Sequence, residues 1–406
     1  MDEEEKNVVT DEVKKVMGKK YMFFIGAGFS VPAGLPKASD LNSNILEADK
    51  LPITFHTDGE LYEGSNGEKP NFGIQSLHDD AFQFGIKIMQ RYSYIHGNFD
   101  YEEFYEYLFD IFHRSLKREQ DEELQEMYPF FKNTSGSPDG LMLHLRINQF
   151  MYLYPKLVHY LIRKSNKEEQ GAKNYVIEYK KYMDYMKALV DAGNVVEIYS
   201  LNHDIILEEL MASYELSESF CDGFSRVGSP FYENQIALER FTNKYDKPIR
   251  LHKLHGSTSY YAFAVETKPS YFDVVNLIKS DYHLNEESLL YVENNSLYKF
   301  TRAMLGLEAE FLTGTKSKAQ RYDAPIYYKP QFENFERDLM STDNVFIIGY
   351  GFKDERVNEI IKQKVNKEAR CRVVDPYINE SAIDKAKDIL PNVYILKKSI
   401  TDVDWL

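Results

Sequence analysis

The chain has 406 residues, 43% of them hydrophobic and 14% aromatic, which is enough apolar matter for one large folded domain or two medium ones. Its 49 Lys+Arg against 64 Asp+Glu leave a net charge of -15, the wrong sign for a protein that neutralises nucleic-acid phosphates. With only two cysteines, Cys221 and Cys371, no secretory pattern at the N-terminus and apolar runs far too short to cross a bilayer, the sequence predicts a cytoplasmic protein with no membrane partner.

The first predicted strand, Tyr21 to Ile25, opens into Gly26-Ala27-Gly28-Phe29-Ser30, with Gly34-Leu35-Pro36 beyond it. Gly26 and Gly28 allow a tight turn that brings backbone N–H groups toward a pyrophosphate, and Ser30 can add a hydroxyl hydrogen bond. A following helix would present its positive end to the anion. The third glycine of the dehydrogenase fingerprint is replaced by Val31, which disfavours an ordinary hydride-transfer domain. Taken alone, the turn reads better as a strand running into a loop of no chemical meaning.

From about 43 to 190 the character changes to aromatic-rich helical patterns, such as those at 101–116 and 147–164, without a convincing strand. This predicts a helical insertion, with turn-rich surface loops at 57–73 and 133–140. Core packing is the plain reading of any single aromatic there, and a partner-facing surface is the functional one.

Continuous apolar runs then return at 195–200, 249–254, 345–350, 371–375 and 393–396, alternating with helical patterns at 204–214, 331–342, 355–369 and 380–390. Strands of that kind are covered on both faces, so the class is α/β with a Rossmann-like, doubly wound parallel sheet. The segment 261–323 gives mixed signals, and no internal repeat is visible.

Open parallel sheets bind ligands at the carboxyl ends of their strands, and the polar residues cluster there. Asn202 and Asp204 lie in the turn after 195–200, where Asp204 either caps the next helix or lines a ligand, and Asn202 is either a turn asparagine or a ligand contact. His252 alternates with apolar neighbours and reads as a satisfied histidine, whereas His255 stands where the strand ends in Gly256 and Ser257, a place for a general base. Gly349, Tyr350, Gly351 and Phe352 form a second glycine turn, followed by Asp354 as a cap and Asn358 one turn into the helix. Asp375 ends a further strand, where it can accept hydrogen bonds from ribose hydroxyls or start a turn before Pro376.

Taken in order, GAGFS with Gly34-Leu35-Pro36, SLNHD, KLHGS and Gly-Tyr-Gly-Phe-Lys-Asp followed by Asn358 resemble the motif set of the sirtuin family over roughly 20–42 and 190–400. The resemblance implies that Gly26, Ala27, Gly28 and Ser30, with Pro36 beyond them, contact the NAD pyrophosphate. It also implies that Asn202 and Asp204 line the nicotinamide-ribose pocket, that His255 beside Gly256 is the base, and that Gly349, Tyr350, Phe352 and Asn358 surround the adenosine half. Protein-deacylating sirtuins hold a zinc module with four cysteines, which two cysteines cannot supply, and their Asp-Phe-Arg after the glycine turn is missing here.

What remains is similar to the sirtuin-like NAD-hydrolysing branch of bacterial anti-phage defence, in particular the subunit that works with a HerA-type hexameric ATPase. The implied activity is cleavage of NAD+ to nicotinamide and ADP-ribose without a metal, by a homo-oligomer controlled through assembly or a partner. The expected organisation is a sirtuin-like NAD-binding domain at 1–42 and 190–406 with a helical insertion at 43–189. A deacylase, or a module that binds NAD or ADP-ribose without turnover, are the alternatives.

Overall fold

The computed structural model describes residues 18–56, 61–64, 68–70, 77–116, 121–130, 140–170, 175–226, 239–268, 271–279, 290–293, 296–299, 303–311 and 325–405. Most of the loop at 57–73, nearly all of that at 133–140 and a large part of 261–323 lie outside them. The chain divides into two compact units, one made of Met1–Leu35, Glu169–Phe311 and Tyr322–Leu406, the other of Pro36–Glu168 and Leu312–Arg321.

The first unit is built on a seven-stranded sheet in the order Val393–Leu396, Arg370–Val374, Asn344–Ile348, Lys20–Ile25, Val195–Ser200, Ile249–Lys253 and Phe220–Cys221. Every adjacent pair is parallel. Lys20–Ile25 is central: the chain first adds strands on one side of it and then returns to the other side at Asn344–Ile348. The strand order therefore reverses beside Lys20–Ile25, and the loops that leave these two carboxyl ends stand at a topological switch point.

Strand alternation explains why both faces are apolar. Phe23 points to one face, where it stacks on Phe346 at 4.9 Å and meets Tyr182 of the helix Lys180–Asp191 and Trp405. Phe24 points to the other, against Phe335 of the helix Tyr328–Ser341 and against Tyr350. Helices on both faces of a parallel sheet make the α/β, doubly wound architecture that the alternating pattern predicts.

One open segment gains an assignment and one expectation is corrected. Part of the ambiguous 261–323 segment belongs to a second, five-stranded sheet in the order Ala303–Phe311, Gly256–Lys268, Tyr271–Lys279, Glu239–Lys244 and Gly223–Arg226. Its long strands mix charged and apolar residues and carry bulges, so neither a continuous nor a clean alternating pattern marks them. The predicted helical stretch also holds a short hairpin, Ile53–Phe55 with Leu61–Glu63.

Among its described residues the second unit is otherwise mainly helical, with helices Ala38–Leu46, Leu77–His96, Tyr101–Leu116, Glu122–Gln125 and all but the last two residues of Gly140–Gln170. Phe82, Phe104, Phe150 and Tyr154 are fully buried, and Gly85 lets its helix approach the Phe150 ring, which an added Cβ would meet at 2.1 Å. Aromatics at helical spacing there form a core, while Tyr94, 89% exposed, is an exception.

Candidate functional site

Four loops leave the carboxyl ends of four neighbouring strands, Asn344–Ile348, Lys20–Ile25, Val195–Ser200 and Ile249–Lys253. The glycine turn after the central strand is a 3-10 turn, Ala27–Phe29, with Ala27 and Gly28 exposed. Its glycines are required by close approach of the loop after Asn344–Ile348. Gly26 N–H donates to Ile348 O at 2.9 Å and Gly28 N–H to Gly349 O at 3.0 Å. A Cβ on Gly28 would lie 2.7 Å from Gly349 Cα, and one on Gly349, at φ +61°, would lie 2.5 Å from Gly28 Cα. The two glycine turns that the sequence shows separately are thus one packed unit.

Ser30, Asn202 and Asp204 form a directional chain. Asn202 Nδ2 donates to Gly26 O at 3.0 Å and to Ser30 Oγ at 2.9 Å, and Ser30 Oγ donates to Asp204 Oδ2 at 2.8 Å. The other Asp204 oxygen accepts Ile206 N–H at 3.1 Å in a local turn one residue before Ile205, the N-cap of the helix Ile206–Ser213, so Asp204 is a turn former and not the cap. Burial pushes the Asp204 carboxyl above the ordinary aspartate range, against the lowering pull of Lys253 and of the Ser30 and Ile206 hydrogen bonds.

His255 occupies a two-residue junction between Ile249–Lys253 of the parallel sheet and Gly256–Lys268 of the second sheet. Gly256, at φ +80°, makes that abrupt junction possible. His255 is 4% exposed, and its Nε2 lies 3.2 Å from Asp354 Oδ2. Asp354 also caps the helix Glu355–Lys364 by accepting Val357 N–H at 3.1 Å on Oδ1.

The asparagine and histidine turns are laced together by backbone bonds. His203 O accepts from Thr258 N–H at 2.9 Å and from the hydroxyls of Thr258 and Ser257 at 3.1 and 3.2 Å. The His203 ring centroid lies 6.3 Å from that of His255. Asn202, Asp204 and His255 thus belong to one neighbourhood, together with Gly26, Gly28, Ser30 and Gly349.

The remaining candidates have other placements. Asn358 is buried, accepting from Tyr350 Oη at 3.0 Å and donating to Phe352 O at 3.0 Å, so it fixes the loop that delivers Asp354. Phe352 is fully buried at φ +56°, packed on Tyr350 at 4.9 Å. Asp375 stands at the end of Arg370–Val374, one strand further out, where its Oδ1 accepts Tyr377 N–H at 2.7 Å in a local turn. Pro36 is the first residue of the second unit.

Three contributors escaped sequence reasoning: His203, Asp354 as the partner of His255, and Lys253. Asp354 already had an adequate explanation as a cap, and a lysine within a strand pattern normally reads as its solvated edge.

Among the described residues, one buried group of possible metal ligands comes together, Glu197, His252 and Asp338, whose ligand atoms lie within 4.8 Å of one another. Each is engaged by protein. Arg250 reaches Glu197 at 2.9 Å, His252 bridges Glu197 and Gln331, and Asp338 is held by Tyr199 at 2.7 Å and Arg337 at 3.0 Å. No helix among the described residues is long and apolar enough to cross a membrane.

Comparison with solved structures gives Sir2Tm bound to a propionylated peptide, 8% identical, covering 98% of this chain and 94% of that one at a TM-score of 0.34. It also gives a Sir2 point mutant with p53 peptide and NAD, 9% identical, covering 97% and 94% at a TM-score of 0.31. At such scores neither likeness carries weight for the site. Comparison with curated proteins gives no match. The family description "SIR2-like domain" matches residues 196–385, the segment that carries Asn202, Asp204, His255, Gly349 and Asn358.

Proposed function

We propose that the protein is an NAD+ glycohydrolase, cleaving the bond between nicotinamide and ribose to give nicotinamide and ADP-ribose. The observation that carries this reading is the His255–Asp354 pair at 3.2 Å, set in a strand-end junction beside the Asn202–Ser30–Asp204 chain. The SIR2-like match over this segment supports NAD as the substrate.

The leaving nicotinamide is already cationic in its bound form, so its departure needs no general acid, and the ribose carbon passes through an oxocarbenium-like state. Asp354 on Nε2 orients the imidazole of His255, the group proposed to take a proton from a ribose hydroxyl or an attacking water. Asn202, immobilised by two hydrogen bonds, orients the ribose and that water. The exposed Ala27–Gly28 edge is the place for the pyrophosphate by its exposure and not by a nest of amides, since the N–H groups of Gly26, Gly28, Phe29 and Ser30 already donate to backbone carbonyls.

An enzyme that consumes NAD+ has to be restrained in its own cell, so activity is tied to assembly or to a partner. The reading extends to an NAD-depleting effector of anti-phage defence, working as a homo-oligomer or with a HerA-type hexameric ATPase in the cytoplasm. Incubation of the purified protein with NAD+, with and without an acetylated peptide, decides between activities. Release of nicotinamide and ADP-ribose without peptide supports hydrolysis, acetyl-ADP-ribose that appears only with peptide replaces it with deacylation, and binding of NAD+ without products in either arm reduces the site to a binding module. Co-expression with a HerA-type ATPase, followed by mass measurement of the complex, tests the partner.

A further inference from the structure

Lys253 ends the strand Ile249–Lys253 and is 1% exposed, an uncommon place for an ammonium. A buried cation persists only where its protons meet acceptors. Nζ donates to the backbone carbonyl of Asp204 and to Ser257 Oγ at 3.1 Å, and it forms an ion pair with Glu208 Oε1 at 3.0 Å. Its own carbonyl accepts from Tyr327 Oη at 2.9 Å, which locks the strand end from below. These three directions serve three elements: the Asn202–Asp204 turn, the helix Ile206–Ser213 and the start of Gly256–Lys268. His255 lies midway along the segment that the clamp spans, two positions after Lys253 and two before Ser257.

We propose that Lys253 is the positioning residue of this site, its buried ammonium clamping the Asn202–Asp204 turn onto the strand end that delivers His255. The inference rests on the hydrolase reading for its consequence but not for its geometry. Without the clamp the Asp204 carbonyl and Ser257 hydroxyl lose a common donor, while the hydrogen bonds to His203 O remain. A misplacement of about 1 Å between groups acting on one substrate costs about 10²-fold in rate.

The charges around Asp204 give the clamp a signature that a merely structural lysine lacks. Asp204 is faced by Lys253 from the strand end, by Glu208 from its own helix, by the Ser30 hydroxyl, and by Tyr175 and Tyr179 from the turn before Lys180–Asp191. Lys253 lowers the Asp204 pKa and Glu208 raises it. Removing the two charges one at a time therefore moves Asp204 in opposite directions.

The test is a carboxyl-carbon NMR titration of Asp204 in the ligand-free full chain, its signal assigned through Asp204→Asn, in wild type, Lys253→Met and Glu208→Gln. It is joined to the pH profile of nicotinamide release. The expected result is a higher Asp204 midpoint in Lys253→Met and a lower one in Glu208→Gln, with kcat of Lys253→Met down about 10²-fold and its acid limb moved the same way as the midpoint. Midpoints that stay at the wild-type value, or that move together, overturn the proposal. If Lys253→Met does not fold, Lys253→Arg, which keeps the charge and changes the geometry of the donors, decides in its place: a lowered kcat at an Asp204 midpoint near that of wild type supports the clamp, and a wild-type kcat removes it. A wild type that releases no nicotinamide at any pH defeats the hydrolase reading, while the titration of Asp204 still decides whether Lys253 acts as the clamp.

Discussion

His252 and His255 are three residues apart, both nearly inaccessible, and belong to different chemistries. His252 sits inside the strand Ile249–Lys253, in register with Tyr199 of the neighbouring strand, while Arg250 is in register with Glu197. Its ring is sandwiched between Tyr199 at 4.4 Å and Tyr245 at 3.9 Å, and its two nitrogens meet Gln331 Oε1 at 2.9 Å and Glu197 Oε2 at 3.2 Å. Every direction is taken by protein, so this histidine builds the core. His255 lies past the last strand bond, on a junction bent by Gly256, with a carboxylate from a different loop on Nε2. Position relative to the strand end, rather than residue type or burial, separates the imidazole that builds the core from the one proposed as the base.

The largest effect that sharpens this contrast is on turnover. His255→Ala lowers NAD+ hydrolysis in the folded fraction by about 10²–10⁴-fold, the usual contribution of a positioned acid–base group, while its loss of stability stays below that of His252→Ala because Asp354 keeps Val357 N–H as a partner. Steady-state nicotinamide release beside thermal melting checks both halves. His252→Ala does the reverse. It leaves Glu197 buried with Arg250 alone and opens a gap between two tyrosines, costing about 3–5 kcal/mol in a denaturant titration, while the folded fraction retains its kcat. Turnover lost in the folded fraction of His252→Ala would erase the distinction.

How much of the molecule is legible in the sequence follows from the same contrast. The seven-stranded sheet can be read because its strands are continuous apolar runs, and runs such as Val195–Ser200 and Val393–Leu396 begin and end where the sequence places them. The edge strand Phe220–Cys221 has only two residues, too few for any pattern. Asn202, Asp204 and His255 can be singled out because strand ends mark them. What no local pattern carries is pairing across the fold: Asp354 reaches His255 from 99 positions away, which is 354 less 255, and Lys253 turns inward to a carbonyl 49 positions back. Asn358 shows the converse, since its place in the motif draws it toward a ligand whereas its amide is engaged by Tyr350 and Phe352.

Asp354→Asn probes the partner that His252 has in Glu197 and His255 has in Asp354. Asparagine still accepts Val357 N–H as a cap, so the helix Glu355–Lys364 is retained. A carboxamide no longer dictates which nitrogen of His255 carries the proton, and kcat falls by up to about 10⁴-fold, the effect of the same exchange beside the histidine of a serine-protease triad. Unchanged kcat and an unchanged melting temperature would make Asp354 a cap and nothing more.

The smallest effect distinguishes a site arranged for chemistry from a core arranged for stability. Burial raises the pKa of Asp204 in the folded chain above its unfolded value of about 3.9. A raised carboxyl pKa means that the folded state holds the proton more tightly than the unfolded state does. The associated stability is present below the unfolded pKa and is lost as pH rises through the folded one. At neutral pH the ionised carboxylate is thus a net cost to folding, even with Ser30 and Ile206 bound to it. Asp204→Asn keeps an acceptor for the Ser30 hydroxyl and removes the charge. Its melting temperature relative to wild type rises from about pH 4 to about pH 7, while NAD+ turnover falls. A variant that is less stable than wild type at the upper pH and equal to it at the lower would reverse the sign, placing Asp204 with Glu197 among the carboxylates that hold the fold together.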